Sequence, residues 1–301
     1  MRTAVELCGV TLKNPVLTAS GTFGFGREYS EFYDVGRLGG IVGKGLTLEP
    51  REGNDGVRIA ETASGILNCV GLQNPGVEAF IADELPYMRT LGCAVIANAA
   101  GSVLSDYERI AERLSDTDVD MIELNISCPN VKSGGMAFGV LPKSVEEVTA
   151  AAKKHCKKPL IVKLSPNVAD IADNARAAEQ GGADAISLIN TITGMAVDLA
   201  SRCPVLGNVT GGLSGPCVKP VALRMVRQVY KAVKLPVIGI GGITVARDVL
   251  EFILCGATAV EVGTANMCDP LASLNIVDGL EREMAKYGIN DINELKGALE
   301  D

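Results

Sequence analysis

One thiol, two amines and five carboxamides are the groups in this chain whose types and settings could do chemistry. Cys128 sits in Asn125-Ile126-Ser127-Cys128-Pro129-Asn130, a polar stretch that ends an apolar run. The single histidine, His155, leaves no room for a histidine-clustered zinc site, an HExxH motif or a Ser-His-Asp triad elsewhere, and no metal ligand set is expected. A cysteine thiolate is then a credible general base. The competing reading of any cysteine is a small buried hydrophobe; it suits Cys8, Cys93 and Cys255. Lys44 in Gly43-Lys44-Gly45 and Lys163 in Val162-Lys163-Leu164-Ser165 interrupt apolar strands, where an amine is costly unless paired. The partner is either a bound anion, such as an anionic cofactor ring, or an inward carboxylate such as Glu123 or Glu261. Asn98, Asn125, Asn130 and Asn190, with Asn68, gather five amides near one face. Each offers donors and an acceptor, which suits a small, flat, heteroatom-rich ligand.

Glycine clusters supply a second signal. They occur in Gly239-Ile240-Gly241-Gly242-Ile243, in Glu261-Val262-Gly263-Thr264 and in Gly211-Gly212-Leu213-Ser214-Gly215. Glycine lets backbone N–H groups approach an anion, and a helix N-terminus adds a favourable dipole. Three such loops converging point to a phosphorylated ligand, although any one alone could simply turn the chain. Gly21-Thr22-Phe23-Gly24-Phe25-Gly26 lacks G-x-G-x-x-G spacing, so it is no dinucleotide fingerprint.

These groups need a scaffold. Candidate strands cover 15–21, 39–46, 93–101, 121–128, 159–165, 185–191, 236–241 and 259–264. Most are nearly continuous apolar runs, as expected of strands covered on both faces. Helical patterns separate them. One spans 167–180, with Asn167 as its cap and Gly181-Gly182 as its stop; another spans 244–255, capped by Thr244 and stopped by Gly256. Eight such units predict a single (β/α)₈ barrel domain over 1–301, in preference to an open doubly wound sheet. Two connections, 47–74 and 193–215, are too long for plain barrel loops and follow strand C-termini, where lids and binding loops belong.

The 301 residues carry 28 Lys and Arg against 36 Asp and Glu, a formal charge of −8. That balance, with only 4% aromatics, argues against a nucleic-acid surface or a polybasic membrane patch. Nine cysteines without C-x-x-C spacing, no apolar run of spanning length and an N-terminus, Met1-Arg2-Thr3-Ala4, without a signal-peptide core suggest a reduced, cytoplasmic protein. His155 lies in Lys153-Lys154-His155-Cys156-Lys157-Lys158, which reads as a basic helix end.

The motifs together resemble the class 1 dihydroorotate dehydrogenases. The resemblance is carried by Asn125-Ile126-Ser127-Cys128-Pro129-Asn130, Asn14-Pro15-Val16-Leu17-Thr18-Ala19-Ser20-Gly21, Gly43-Lys44-Gly45-Leu46-Thr47, Asn68-Cys69-Val70-Gly71-Leu72-Gln73-Asn74-Pro75-Gly76 and Ile240-Gly241-Gly242-Ile243. It runs from about residue 4 to about 285. Thr22-Phe23-Gly24-Phe25-Gly26 and Leu48-Glu49-Pro50-Arg51-Glu52-Gly53-Asn54 look most like the NAD-dependent class 1B catalytic subunits. The resemblance implies an FMN-binding barrel that oxidises dihydroorotate to orotate. By matching motif, Cys128 would take a proton from carbon 5 while carbon 6 gives hydride to the flavin. Lys163 would lie against the flavin's pyrimidine edge and stabilise the reduced anionic ring, and Lys44 would contact both flavin and substrate. Ser20, Gly45, Asn98, Asn125, Ile189, Gly215, Gly241, Gly242, Gly263 and Thr264 would hold FMN. Asn68, Cys69, Val70, Gly71, Leu72, Asn125, Asn190 and Thr191 would hold substrate. The loop bearing Cys128 would close as a lid, with Gly134-Gly135 as hinge.

The resemblance further implies a homodimeric core with two electron-transfer subunits carrying FAD and a 2Fe–2S cluster, a two-plus-two heterotetramer. No cysteine grouping in this chain could hold such a cluster. Three rival readings stay open: a class 1A enzyme using fumarate directly, a flavin-free phosphate-binding barrel acting as lyase or isomerase, and a non-catalytic flavin carrier.

Overall fold

The computed structural model describes residues 1–127 and 138–300. Its centre is a closed, eight-stranded parallel barrel. In chain order the strands are β1 (Val16–Thr18), β2 (Gly40–Val42), β3 (Ala94–Ala99), β4 (Met121–Asn125), β5 (Leu160–Lys163), β6 (Ala185–Leu188), β7 (Val237–Ile240) and β8 (Ala259–Val262). Each falls inside one of the eight apolar runs. The ring shuts where β8 pairs with β1, Val260 opposite Val16 and Val262 opposite Thr18. Every residue of β4 through β8 is buried, which is why these runs read as nearly continuously apolar.

Helices wrap the barrel. The longer ones are α1 (Leu85–Thr90), α2 (Leu104–Ser115), α3 (Pro142–His155), α4 (Ile171–Gln180), α5 (Lys219–Ala232), α6 (Ala246–Leu254) and α7 (Ala272–Lys286). In α2, Tyr107, Ile110, Ala111 and Leu114 recur at helical spacing and face the core. His155 is the last residue of α3, with Lys153 and Lys154 in the same final turn, where cations meet the helix dipole favourably. Opposite the mouth, a hairpin of Val5–Leu7 and Val10–Leu12 buries Leu7 and Leu12. Cys8 and Gly9 form its turn, both at positive φ, the geometry a two-residue hairpin demands. Among the described residues no helix is long and apolar enough to cross a membrane.

Two helix starts differ from expectation, for one reason. Helix α4 begins at Ile171, and Asp170 caps it by accepting from the Ala172 N–H. Asn167 instead bridges the chain near the mouth, donating to the Thr191 carbonyl and accepting from the Thr193 N–H. Helix α6 begins at Ala246; the Asp248 carboxylate reaches back to the N–H groups of Thr244 and Val245 and to the Thr244 hydroxyl. A carboxylate is a stronger acceptor than an amide or hydroxyl. Asp248 also receives Lys219 Nζ at 2.5 Å. Asp248→Ala therefore leaves two N–H groups without their acceptor and takes from Lys219 one of its two carboxylate partners, the other being Glu251; a loss of about 1–3 kcal/mol in urea unfolding is expected, and an unchanged midpoint would contradict it.

The two long connections are not independent loops. Ile59–Thr62 and Gly65–Asn68 from the first, with Ile192–Gly194 and Gly211–Ser214 from the second, form one four-stranded antiparallel sheet. Gly212 pairs with Asn68 across the junction, and Thr193 with Gly212 on the other side. The sheet lies beside the C-terminal ends of the barrel strands, where it walls the mouth.

Candidate active site at the barrel mouth

Every sequence-selected site residue within the described part of the chain lies around one cavity of about 340 Å³ at the C-terminal end of the barrel. The strand ends supply Ser20, Lys44, Gly45, Asn98, Asn125, Lys163, Ile189, Asn190, Thr191, Gly241, Gly242, Gly263 and Thr264. The first insertion supplies Asn68, Cys69, Val70, Gly71 and Leu72, and the second supplies Gly215. Cys128 and Asn130, and the glycine pair Gly134-Gly135, lie outside the described residues.

Strand ends fall earlier than the apolar runs imply. β2 stops at Val42, so Lys44 and Gly45 belong to the loop beyond it, and Lys44 is half-buried where an intrastrand lysine was expected. β6 stops at Leu188, ahead of the cis Leu188–Ile189 bond, so Asn190 and Thr191 also sit on loop backbone. Asparagine there does not compete with a sheet ladder.

The amides form a connected wall. Asn190 Nδ2 donates to the Ser127 hydroxyl and, at 3.4 Å, to Asn125 Oδ1; the Ser127 hydroxyl donates to the same oxygen at 2.9 Å. Asn190 Oδ1 accepts from the Thr191 N–H at 2.8 Å. Asn68 Nδ2 donates to the Gly212 carbonyl at 3.3 Å. Asn98 Nδ2 donates to Glu123 at 2.6 Å, while Asn98 Oδ1 is buried without a hydrogen-bond partner among the described residues. An unsatisfied buried acceptor costs about 1–3 kcal/mol, so this oxygen fits a ligand that brings an N–H.

Lys163 has found its counter-charge within the protein. Its Nζ lies 3.2 Å from Glu261 Oε2, 3.6 Å from Glu123 Oε1 and 3.3 Å from the Ser20 hydroxyl. The carboxylate reading of Lys163 is therefore the one realised, inside the protein. Burial works against all three charges. For Glu123 it is outweighed by Lys163 and by hydrogen bonds including those from Ser187 and Asn98, so its pKa falls below the ordinary value. For Lys163 the burial is outweighed by the two carboxylates, and its pKa rises. For Glu261, burial and the charge of Glu123 act together and push it well above the usual carboxylate range.

A stability trend follows from Glu261. Unfolded, it ionises near 4.5; folded, it keeps its proton to much higher pH. Between those values the native state binds the extra proton, so its contribution to stability falls as pH rises. Glu261→Gln removes that slope. Urea melts of the apoprotein across neutral pH read the difference, and parallel pH profiles for the two proteins would count against it.

At the other end of the cavity, Gly215, Gly241 and Gly242 adopt positive φ. A Cβ on Gly242 would stand 2.9 Å from the Gly215 carbonyl, so the two glycine loops approach as closely as backbones can. The Thr264 hydroxyl donates to the Ser214 hydroxyl at 2.9 Å, tying the end of β8 to the mouth sheet. Thr244 contributes less than its position suggests, because Asp248 already takes its N–H and hydroxyl. The candidate anion cradle thus narrows to the glycine pair, Gly263, Thr264 and Gly215.

Some groups at the site were not singled out from the sequence. Ser127 joins two of the amides but lies in a motif whose thiol drew attention. Asn54 pins the 68–72 segment, donating to the Cys69 carbonyl at 2.8 Å while its N–H reaches the Val70 carbonyl. Asn167 and Thr193 line the cavity through the bridge described above. Gly212 is fixed by space: a Cβ there would stand 2.0 Å from the Thr191 hydroxyl. Gly212→Ala must displace Thr191, so a rise in KM of about tenfold or more for the ligand at this wall is expected, with folding retained. Steady-state kinetics check it, and an unchanged KM would show Thr191 to be uninvolved.

Comparison with known proteins follows the same lines. The family model described as dihydroorotate dehydrogenase matches residues 2–284. The chain is 58% identical over 295 residues to "Dihydroorotate dehydrogenase B (NAD(+)), catalytic subunit" of Alkaliphilus oremlandii, covering 98% of each chain. It is 54% identical over 299 residues to the protein of the same name from Thermoanaerobacter pseudethanolicus, and 51% identical over 297 residues to that from Petrotoga mobilis, covering 99% of each chain in both cases.

Proposed function

Because the chain belongs to the dihydroorotate dehydrogenase family, we propose that it is the catalytic subunit of an NAD-linked enzyme oxidising (S)-dihydroorotate to orotate in pyrimidine synthesis. The observation that carries this reading is the composition of the cavity at the barrel mouth: an amide wall, an ammonium on its floor and a glycine cradle at its far end.

The cavity fits FMN. Asn98 Oδ1, an orphaned buried acceptor, suits a ring N–H. The cradle of Gly215, Gly241, Gly242, Gly263 and Thr264 suits a phosphate. Ser20, Lys44, Gly45, Asn98, Asn125, Lys163 and Ile189 would hold the ring. Bound there, FMN supplies the hydride acceptor.

The chain's own residues do the rest. Asn68, Asn125, Asn190 and Thr191, with Cys69, Val70, Gly71 and Leu72, would bind the substrate's carboxylate and ring amides. Lys44, which lines the cavity, would contact both ligands and add positive charge. Cys128 follows Ser127 in the chain and, as thiolate, takes the proton from carbon 5 of dihydroorotate.

We take 1–301 as one FMN-binding unit that acts in the cytoplasm. Its relatives are named catalytic subunits, which supports a separate electron-transfer subunit here; FAD and a 2Fe–2S cluster would reside there, with two copies of each chain. Anaerobic addition of dihydroorotate to the purified chain tests the central reading. A yellow protein whose flavin band bleaches is expected; a colourless protein would overturn it. Isolation with native partners should yield iron–sulfur absorbance and NADH formation, and full-rate turnover of the lone chain with fumarate would refute the NAD link.

A further inference from the structure

The barrel interior under the cavity carries two carboxylates and one amine. Glu123 and Glu261 are sealed from solvent, and Lys163 Nζ lies within 3.6 Å of both. The strands flanking Glu261 are β1, Val16-Leu17-Thr18, and β7, Val237-Ile238-Gly239-Ile240; neither has an ionisable residue. The charges acting on Glu261 are Glu123 from β4 and Lys163 from β5. One cation cannot balance two anions in a sealed interior, and two carboxyl groups sharing such a site keep one proton between them. The hydrogen bonds say which keeps it. Glu123 accepts from Asn98 on Oε1 and from Ser187 on Oε2. Glu261 accepts on Oε2 from Lys163 Nζ alone, at 3.2 Å, and its Oε1 is buried with no hydrogen-bond partner among the described residues. The well-served carboxylate is the anion and the ill-served one is the acid.

We propose that Glu261 is a positioning residue that, by keeping a proton, holds the floor of the cavity at zero net charge and leaves Lys163 cationic beneath an electron-rich ring edge. This rests on the proposed FMN site and deepens it. With Glu261 neutral, Lys163 and Glu123 cancel, and Lys163, which of these three groups is the one that lines the cavity, would contact the ring. With Glu261 ionised, the floor carries one net negative charge and repels the charge that reduction places on the flavin. Glu261→Gln would lock the neutral state. Glu123→Gln would free Glu261 to ionise against Lys163 and would again give a neutral floor.

The test has two arms. Infrared spectra of the apoprotein in D₂O at neutral pH read the proton directly, without flavin or turnover. The wild type is expected to show a protonated-carboxyl band that both Glu261→Gln and Glu123→Gln lose, because the shared proton needs both carboxyls. A wild type without the band, or a Glu261→Gln protein that retains it, overturns the assignment. The second arm is the affinity for reduced FMN against pH. The wild type should weaken at alkaline pH by up to about tenfold per pH unit, the limit for one proton. Glu261→Gln should match the wild type within about twofold at neutral pH and lack that alkaline fall. The same fall in the variant overturns the proposal, since a merely structural Glu261 would leave the profile unmoved. If the chain binds no FMN at all, the flavin reading fails by itself and the infrared arm still decides where the proton lies.

Discussion

Cys128→Ala yields a yellow protein that dihydroorotate scarcely bleaches. Carbon 5 of the substrate must lose a proton to a base, and the lone histidine stands at the far end of α3, outside the cavity lining. General-base catalysis contributes about 10²–10⁴-fold, so the flavin-reduction rate should drop by that much while FMN stays bound. Rapid-mixing absorbance under anaerobic conditions measures it. A variant retaining most of the wild-type rate would remove the thiol from the mechanism. Cys128→Ser sharpens the test. A hydroxyl ionises far less readily than a thiol near pH 8.5, so the serine variant should be most impaired near neutrality and recover only as pH rises; superimposable pH–rate profiles would contradict the assignment.

Lys163→Ala has the largest expected effect on the fold as well as the site. It strips the cation from Glu123 and Glu261, both sealed in the barrel. Removing one partner of a buried ion pair typically costs about 3–5 kcal/mol, so a clear fall in the urea midpoint of the apoprotein is expected. The pH dependence has a definite sign. In the wild type the raised pKa of Lys163 contributes stability that is present below its ordinary 10.5 and is lost only as pH climbs through the folded value. In the variant Glu123 has no cation, burial favours its neutral form, and acidification should narrow the deficit. A deficit independent of pH would mean that lost packing, not charge, dominates. The same change should weaken FMN retention, read by fluorescence after gel filtration.

The barrel was legible because strands buried on both faces leave a simple trace, an unbroken apolar run. All eight appear where such runs occur. Their ends were less legible, since apolar residues such as Ile189 continue past the last ladder pair. The caps differ at Asn167 and Thr244 because spacing alone cannot say that a nearby carboxylate sets the helix start, Asp170 by accepting from the Ala172 N–H and Asp248 by accepting from the Thr244 and Val245 N–H groups. The sheet at the mouth left almost no trace. Gly211-Gly212-Leu213-Ser214 has neither alternation nor β-branched residues, and it becomes a strand because 65–68 lies on one side of it and 192–194 on the other. The site fared better, since strand-end asparagines and lysines contradict a core. What sequence could not decide was the partner of Lys163, a matter of which side chains share the interior of a closed ring.

That closure has a consequence for synthesis. β1 and β8 are joined edge to edge, yet some 240 residues separate Val16 from its partner Val260. During translation the first strand must wait, one edge unclaimed, until nearly the whole polypeptide has emerged. A nascent chain at that stage exposes two raw sheet margins, and long-range pairings of this kind form slowly. The ribosome-bound intermediate is therefore the state most prone to stick to its neighbours, and the moment at which a chaperone would be needed.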